Sequence, residues 1–459
     1  MDLPADPLHA VDVLRRHVTP QEASAVATLR ALRHRAEASG RFPPSLARGM
    51  LASDTMLQQA SSYALAVWMG RSLAARAATA SGTGVSPMDT HPSGVGIPTQ
   101  ECTGGTPVPP AGAPAVLDLC VGFGADAIGL ALAGFRVRGV DVSPSALLCA
   151  AHNAAVAGVG ERCTFEQADV TQIDLPAGAI VHVDPDRRAT GRRTTSLADC
   201  RPDVSFLRHL PARTAAGAIK LSPAIDPFEA GDLPVAELEY VSEHGVCKQL
   251  VAWWGPTPGP AIAMAGLLHP TGSGAQDRPS PGSPAISMAG PLRLEPVPIS
   301  EGPTPRRTAT ILTGPVEDPQ AVSLRSGVAP YAALQPPGEW LIEPDPAVIA
   351  AQAVDDLAAA CGLWRLEPGL AWLFGDKPVD TPLARSFLVL ADVPGRPSDV
   401  ARAVRQLGGG SVEVKTRGVK LDTDRLQRQL AGRGHRPLAI LWCRTGRKER
   451  AFICQREQR

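Results

Sequence analysis

The chain has 459 residues, 44% of them apolar and 20% charged, with 45 Lys and Arg against 45 Asp and Glu. At roughly 100 to 200 residues per domain, this length predicts two or three domains and excludes a single small module. The 44 glycines and 45 prolines predict long unpacked segments beside the globular ones.

Two further classes of protein are disfavoured by composition. No run approaches the roughly 20 uncharged apolar residues that span a bilayer, and the first ten residues are acidic where a signal peptide is basic. The nine cysteines form no CxxC pair, which disfavours a zinc site or a disulfide scaffold. We therefore expect a cytoplasmic protein without a membrane segment or a metal.

Residues 1–80 predict a helical N-terminal extension. Thr19, Pro20 and Glu22 match a capping box, in which the Thr19 hydroxyl accepts from the Glu22 amide and the Glu22 carboxylate reaches back. A second helix is predicted from about Asp54 to Ala75. Residues 81–114 show no helical or strand period and are dense in Gly, Pro, Ser and Thr, which predicts a low-complexity insertion.

Apolar runs then alternate with helical patterns, which predicts a parallel sheet covered by helices over residues 115–320. A second low-complexity insertion, 256–305, holds 12 prolines. We expect the strand predicted after it, 307–312, to pair with 246–253 as a hairpin. The other predicted strands are 115–120, 136–141, 163–168, 179–184 and 216–221.

The segment 116–126, VLDLCVGFGAD, carries the strongest motif, a strand that runs into a glycine turn and then a helix. Gly122 and Gly124 let the backbone turn tightly and approach a ligand, and the helix that follows presents free amides. The second strand ends at Asp141, where a carboxylate can accept both hydroxyls of a ribose. The pattern predicts a ligand that contains adenosine.

Two such ligands compete, because Gly122, Gly124 and Ala127 also satisfy the dinucleotide fingerprint. Three acidic residues, Asp118, Asp126 and Asp169, favour S-adenosylmethionine. Asp118, just before the turn, offers a counter-charge to an amino-acid ammonium and would repel a pyrophosphate. Asp169, at the end of the third strand, offers an acceptor to the adenine amine. A nicotinamide cofactor and a degenerate, empty pocket remain as alternatives.

The fourth strand ends in Asp184-Pro185, and ligands of parallel α/β sheets gather at the carboxyl ends of the strands. We expect Asp184 to face the reacting methyl group and to orient an acceptor or remove its proton. His182 is interpreted as a packed histidine. The same loop contains four arginines, whose guanidinium groups are suited to binding phosphates: Arg187, Arg188, Arg192 and Arg193. The alternative is that this is simply a solvated basic loop.

The fifth strand leads into Lys220 and then Asp226 at the same edge. These two residues could form an ion pair or hold the target across the pocket from Asp184. We predict that Asp184 and Asp226 are catalytic and that Lys220 joins Pro185, Arg187, Arg188 and Arg192 in binding the substrate.

The C-terminal region contains a connecting helical part, 321–385, with a helix predicted at 347–360, and a small α/β domain, 386–459. Residues 396–459 hold 16 Lys and Arg against 6 Asp and Glu. Such a surface predicts salt-sensitive contacts with nucleic-acid phosphates, although solvation alone would also explain it. One predicted turn gathers four of the basic residues: Arg444, Arg447, Lys448 and Arg450.

The sequence resembles class I S-adenosylmethionine-dependent methyltransferases with a C-terminal THUMP-like domain. The resemblance covers about 116–255, through VLDLCVGFGAD, GVDVS, VDPDRR and IKLSPAID, and about 340–455, through WLIEPDPAVI, VKTRGVKLD and LAILWCRTGRKERAFIC. It implies a Rossmann-like α/β sheet of seven strands, S-adenosylmethionine as methyl donor and RNA as substrate. By position, Asp118, Gly122 and Gly124 would line the methionine end, Asp141 the ribose and Asp169 the adenine.

Two positions depart from the family pattern. Base-amine methyltransferases often end the fourth strand in [ND]PP[YFW], whose aromatic ring stacks on the base, whereas DPDR stands here at 184–187 and resembles a DPxRR subgroup. Cys120 replaces a commoner glycine and trims space near the methionine arm. The predicted cofactor site therefore comprises Asp118, Cys120, Gly122, Gly124, Asp126, Asp141 and Asp169.

The sequence thus predicts a cytoplasmic S-adenosylmethionine-dependent methyltransferase that acts on a base of structured RNA, ribosomal or transfer RNA. One alternative is a methyltransferase whose methyl acceptor is a protein or a small molecule. This alternative predicts that methyltransferase activity remains when residues 386–459 are removed. The other is a non-catalytic RNA-binding or chaperone protein with a vestigial fold, which predicts no binding of S-adenosylmethionine.

Overall fold

The computed structural model describes residues 12–13, 15–80, 114–176, 178–186, 195–256 and 304–456. Both predicted insertions lie almost entirely outside these residues, and so do Arg187, Arg188, Arg192 and Arg193. Within the described ranges no helix has the length and apolar content needed to cross a membrane. In the same ranges, no group of three or more His, Cys, Asp or Glu is arranged to hold a metal ion.

The N-terminal extension forms helices α1 Pro20–Ala38, α2 Pro44–Gly49, α3 Asp54–Gln59 and α4 Tyr63–Ala80. The predicted capping box opens α1, since Thr19 Oγ1 accepts from Glu22 N at 3.3 Å and Glu22 Oε2 accepts from Thr19 N at 2.9 Å. The single helix predicted from Asp54 is two helices. The break at residues 60–62 buries Ser61 and Ser62, whose hydroxyls bond charged side chains of the sheet.

The first sheet contains strands β1 Ala115–Leu119, β2 Arg136–Asp141, β3 Cys163–Gln167, β4 Ile180–Val183, β5 Ala216–Leu221, β6 Glu237–Glu243, β7 Val246–Trp254, β8 Arg306–Thr313 and β9 Gln320–Arg325. In the described residues these nine strands are ordered β3-β2-β1-β4-β5-β7-β6-β8-β9. Strands β1 to β5 run parallel, and β7 lies antiparallel between β5 and β6. The predicted seven-strand sheet is present, and β8 and β9 extend it.

The expected hairpin between 307–312 and 246–253 is wrong. Strand β8 pairs in parallel with β6, with Glu237 opposite Arg306, because β5 and β6 already occupy both edges of β7. Strand β6 was not predicted from the sequence either. Glutamates are typical of exposed positions, but both Glu237 and Glu239 of β6 are buried.

Helices cover both faces of this sheet: α5 Ala125–Leu132, α6 Pro144–Val156, α7 Val204–Arg213, α8 Pro227–Gly231, α9 Pro346–Ala350 and α10 Val354–Cys361. Helices α4, α5 and α6 share one core with Phe123 and Trp253, and α7 to α10 pack on the other face. Helix α4 crosses α5 at Gly70 and Gly129, where a Cβ atom on either glycine would overlap the other helix. The N-terminal extension is therefore part of the core of the first sheet.

The second sheet contains β10 Trp340–Pro344, β11 Trp364–Arg365, β12 Leu373–Gly375, β13 Ala384–Pro394, β14 Gly409–Arg417, β15 Arg436–Thr445 and β16 Lys448–Arg456. Its order is β11-β12-β10-β13-β16-β15-β14, and helices α11 Pro397–Gln406 and α12 Thr423–Leu430 pack on it. The region 321–385 is therefore not a helical connection. It supplies three strands too short to show a period, and its predicted helix is split at Gln352, which has a φ of +60°.

Candidate functional site

The predicted glycine turn joins β1 to α5 at the carboxyl edge of the first sheet. Cys120, Gly122 and Gly124 all have positive φ, of 61°, 55° and 90°. A Cβ atom on Gly124 would lie 2.9 Å from the Cα of Ala150 in α6, so the close approach of α6 requires glycine there. The turn thus has the left-handed backbone that its glycines predicted.

Asp141, at the end of β2, is bonded to this turn. Its Oδ2 accepts from Gly122 N at 2.9 Å, and its Oδ1 accepts from Ser143 N at 2.9 Å. Each carboxylate oxygen still has a lone pair for a ribose hydroxyl, because an ionised carboxylate offers about four acceptor positions. The glycine turn and the Asp141 carboxylate are therefore held in a fixed position relative to each other.

Asp118 lies directly opposite His182 on the neighbouring strands β1 and β4. His182 Nδ1 is 2.7 Å from Asp118 Oδ1, and the two side chains are 0% and 1% exposed. Burial raises the pKa of Asp118 above its usual range, although the nearby imidazole counteracts it. Burial lowers the pKa of His182, but Asp118, followed by Asp126, raises it, and the net pKa lies above its ordinary value. His182 is packed, as interpreted, but the sequence did not predict its carboxylate partner.

Lys220 is the centre of a second buried cluster. Its Nζ lies 2.5 Å from Asp126 Oδ2 and 2.8 Å from Ser61 Oγ, and it also forms an ion pair with Asp184. Burial lowers the pKa of Lys220, but Asp126 and Asp184 raise it by more. Burial raises the pKa of Asp126, but Lys220, followed by His182, lowers it, and the net pKa lies below its ordinary value. The cluster thus joins the N-terminal extension, the helix after the glycine turn and the carboxyl end of β4.

This cluster decides one open alternative and corrects two predictions. The ion pair of Lys220 with Asp226, one of the two alternatives left open by the sequence, does not form, because Asp226 is exposed and caps α8, accepting from Phe228 N at 2.7 Å. Lys220 is 3% exposed and contacts three partners, so it is not positioned to bind a substrate. Asp126 is held by Lys220 and is therefore not presented to a cofactor. Ser61 was missed because nothing in its local sequence indicates a distant lysine.

Other predicted residues lie near the same edge of the sheet. Asp169 is exposed after β3 and accepts from Thr171 N at 2.9 Å, and that bond lowers its pKa. Pro185 is buried, and Asp186 exchanges backbone hydrogen bonds with Arg201. The predicted substrate arginines that follow lie outside the described residues.

The basic turn of the second sheet is partly neutralised. Arg444 lies 3.3 Å from Glu449, and Arg450 forms an ion pair with Asp392. In the described part of the chain no ion pair involves Arg447 or Lys448, and both are exposed. Within the described residues, these two therefore carry the charge of the turn that no ion pair neutralises, although the Glu367 carboxylate accepts from Gly446 N at 2.8 Å.

A cleft of about 1180 Å³ separates the two sheets. One wall is the β6–β7 turn at His244 and Gly245, which lies at the carboxyl edge of the first sheet because β6 runs parallel to β5. The opposite wall carries four basic residues, Arg385, Lys415, Arg417 and Arg456, and three acidic ones, Glu343, Asp345 and Glu413. Lys415 pairs with Glu343, so the cleft is mixed in charge and only weakly basic.

The strand order and the glycine turn define a methyltransferase-type α/β domain. A family model described as a methyltransferase domain matches residues 116–184, and one described as THUMP domain-like matches residues 384–456. Both matches agree with the sequence analysis. The prediction of a methyltransferase with a C-terminal THUMP-like domain is confirmed.

Two relatives are described as an uncharacterized S-adenosylmethionine-dependent methyltransferase of Mycobacterium tuberculosis, from strains CDC 1551 and H37Rv. Each is 29% identical to this chain over 346 residues, which is 74% of this chain and 81% of the relative. A solved structure described as a methyltransferase, from Porphyromonas gingivalis W83, has a TM-score of 0.59 over 100% of both chains at 16% identity. That structural similarity shows the shared fold.

Proposed function

We propose that this chain transfers a methyl group from S-adenosylmethionine to a base of structured RNA, in ribosomal or transfer RNA. The chain is a methyltransferase, and S-adenosylmethionine, which its relatives are named for using, is its methyl donor. The observation that carries the proposal is a glycine turn that shares one edge of the sheet with a cleft facing the THUMP-like domain.

The described residues fit the donor. Asp118 Oδ2 is buried and has no hydrogen-bond partner among them, so an amino-acid ammonium would satisfy it. Asp141 can accept the ribose hydroxyls, and Asp169 can accept from the adenine amine. When bound, the donor supplies an electrophilic methyl group on a sulfonium. The acid-rich surroundings of Cys120 suit that positive charge, because Asp141, Asp184 and Asp118 all act on its thiol.

Asp184 is the residue we assign to the acceptor. It follows β4 at the edge where ligands of such sheets gather, and its side chain is 25% exposed while Lys220 holds one oxygen. A fixed carboxylate can orient an acceptor N–H or O–H toward the methyl group and take up its proton. Alignment of this kind supplies much of the rate enhancement of a group transfer.

RNA is the acceptor that the rest of the molecule favours. The THUMP-like region contributes 16 Lys and Arg against 6 Asp and Glu over residues 396–459. Phosphate contacts by such residues give binding without base readout, which suits a domain that presents RNA to a separate site. The turn at Gly446 lies about 25 Å along β15 from Leu438 in the cleft wall, so an RNA would have to span both places.

The test is methyl transfer to ribosomal and transfer RNA isolated from a strain that lacks this protein, read out by mass spectrometry of the nucleosides. We expect one new methylated nucleoside with the wild-type protein. Asp184→Asn should keep the affinities for S-adenosylmethionine and RNA while turnover falls by about 100-fold or more, the range for a lost acid–base group.

The outcomes separate the alternatives. Methylation of protein or small molecules alone by the full chain would overturn the RNA acceptor. Failure of the wild-type protein to bind S-adenosylmethionine in calorimetry would overturn the enzyme itself.

A further inference from the structure

The pair Asp118 and His182 contains two polar atoms that the fold leaves unsatisfied. Both side chains are almost fully buried and share one short contact, between Oδ1 and Nδ1. Burying a carboxylate and an imidazole is costly unless their polar atoms are bonded. Yet Asp118 Oδ2 and His182 Nε2 have no hydrogen-bond partner among the described residues.

The unsatisfied carboxylate oxygen suits a cationic donor. Asp118 belongs to the strand that leads into the glycine turn, and an ammonium offers three N–H donors. The surrounding charges also favour a cation. Asp118, Asp126 and Asp184 carry three negative charges in this region, against Lys220 and the imidazole when it is protonated.

We propose that His182 is a positioning residue for the methyl donor. It holds the Asp118 carboxylate through Oδ1, so that Oδ2 is fixed to receive the ammonium of S-adenosylmethionine. The inference rests on the proposed function, because it assumes that this donor occupies the glycine turn. His182 acts through Asp118 and need not contact the donor itself.

The imidazole also affects the charge of Asp118. Burial raises the pKa of this carboxyl, and His182 is the largest influence that lowers it. Asp126 raises the pKa and Lys220 lowers it, and the thiols of Cys120 and Cys163 lie in the same surroundings. Without the imidazole, the negative charge of Asp118 should therefore become harder to maintain as the pH falls.

The experiment compares His182→Leu with His182→Asn, two side chains of similar size. Calorimetry of S-adenosylmethionine binding and steady-state kinetics are followed from about pH 6 to pH 9. We expect His182→Leu to raise Kd and KM for S-adenosylmethionine by about 10- to 100-fold, the range for a lost hydrogen bond to a charged group, with kcat changed less. The loss should grow as the pH falls. The amide of His182→Asn can donate in place of Nδ1, so that variant should recover most of the affinity at high pH.

Gln249→Leu is the matched control, because Gln249 is a buried polar residue of β7 whose Nε2 also has no partner in the described chain. It should leave the donor affinity unchanged. A His182→Leu protein with wild-type Kd and pH profile would overturn the proposal. If His182→Leu does not fold, the His182→Asn variant tests the proposal. A pH profile of S-adenosylmethionine binding by His182→Asn that is identical to the wild-type profile would equally overturn the proposal. Wild-type protein that binds no S-adenosylmethionine would overturn the proposed function instead.

Discussion

Single buried charges depend on partners supplied by other elements. Lys220 is 3% exposed, and its stability in that position rests on Asp126 and Asp184, whose side chains are 11% and 25% exposed. A buried ion pair is not strongly stabilising by itself, but removal of one partner leaves an uncompensated charge. Lys220 should therefore matter for stability as well as for the orientation of Asp184.

We expect Lys220→Met to lower the free energy of unfolding by about 3 kcal/mol, the cost of breaking such a pair, and to reduce turnover. Urea denaturation and methyl transfer measure the two effects. Lys248→Met, at an exposed position of β7, serves as the control and should change neither. Equal stability of the two variants would contradict the role assigned to Lys220.

Glu239 predicts a pH dependence of stability. Burial, followed by repulsion from Glu237, raises its pKa to about 7, although Arg76 and the Trp253 indole counteract this. The native state therefore binds a proton that the unfolded chain releases near its ordinary pKa. The stabilisation is complete below the unfolded pKa and is lost as the pH rises through about 7.

The free energy of unfolding should thus fall between about pH 5 and pH 8, and Glu239→Gln should flatten that fall by about 1 to 3 kcal/mol. Urea denaturation across this range measures it. The exposed Glu161→Gln is the control and should retain the wild-type slope. A Glu239→Gln protein with the same slope would mean that another group titrates.

At the scale of elements, the glycine turn provides a comparison of two neighbouring positions. Both Gly122 and Gly124 have left-handed backbone, at φ of 55° and 90°. A Cβ atom on Gly122 would meet nothing within 4 Å, whereas one on Gly124 would meet the Cα of Ala150 at 2.9 Å. Strain affects both positions, but steric overlap with α6 affects only the second.

Gly122→Ala should therefore lower the free energy of unfolding by about 1 kcal/mol, the strain of a left-handed alanine. Gly124→Ala should lower it by about 3 kcal/mol, because overpacking against α6 adds to that strain. Urea denaturation of both variants tests the difference. Equal costs would show that α6 moves freely away from the turn.

At the scale of the whole molecule, the division between donor site and basic domain predicts how binding responds to salt. The turn between β15 and β16 holds two arginines already paired with acids, Arg444 and Arg450, and two residues with no such pair in the described chain, Arg447 and Lys448. Unpaired charges are the ones that displace counterions from a phosphate backbone.

The double variant Arg447→Ala with Lys448→Ala should reduce the salt slope of RNA binding by roughly 1.4 to 1.8, at about 0.7 to 0.9 per lost phosphate contact. Arg444→Ala with Arg450→Ala removes the same formal charge from the same turn and should reduce it less. Fluorescence anisotropy with bulk transfer RNA at several salt concentrations measures both, and calorimetry should show unchanged affinity for S-adenosylmethionine. If neither double variant changes the salt slope of RNA binding, the RNA does not contact the turn between β15 and β16.

Local sequence determined the parts of this protein that neighbouring residues can build. The capping box at Thr19 and the glycine turn after β1 were predictable because they require particular residues at fixed short spacings. The parallel strands β1 to β5 and the small α/β domain over 386–459 were predictable from periods that repeat over whole elements. The methyltransferase and THUMP-like classes were predicted from a resemblance to a known family, which also depends on short blocks of neighbouring residues.

Only the tertiary structure decided which distant residues meet. Lys220 bonds Asp126, 94 residues away, rather than the nearby Asp226, and His182 bonds Asp118 across 64 residues. Strand β8 joins β6 because β7 has no free edge, and β6 itself was hidden by glutamates that the fold buries. A period along the chain identifies a strand or a helix, but the neighbours of that element, and so the partners of its buried charges, depend on packing across the whole sheet.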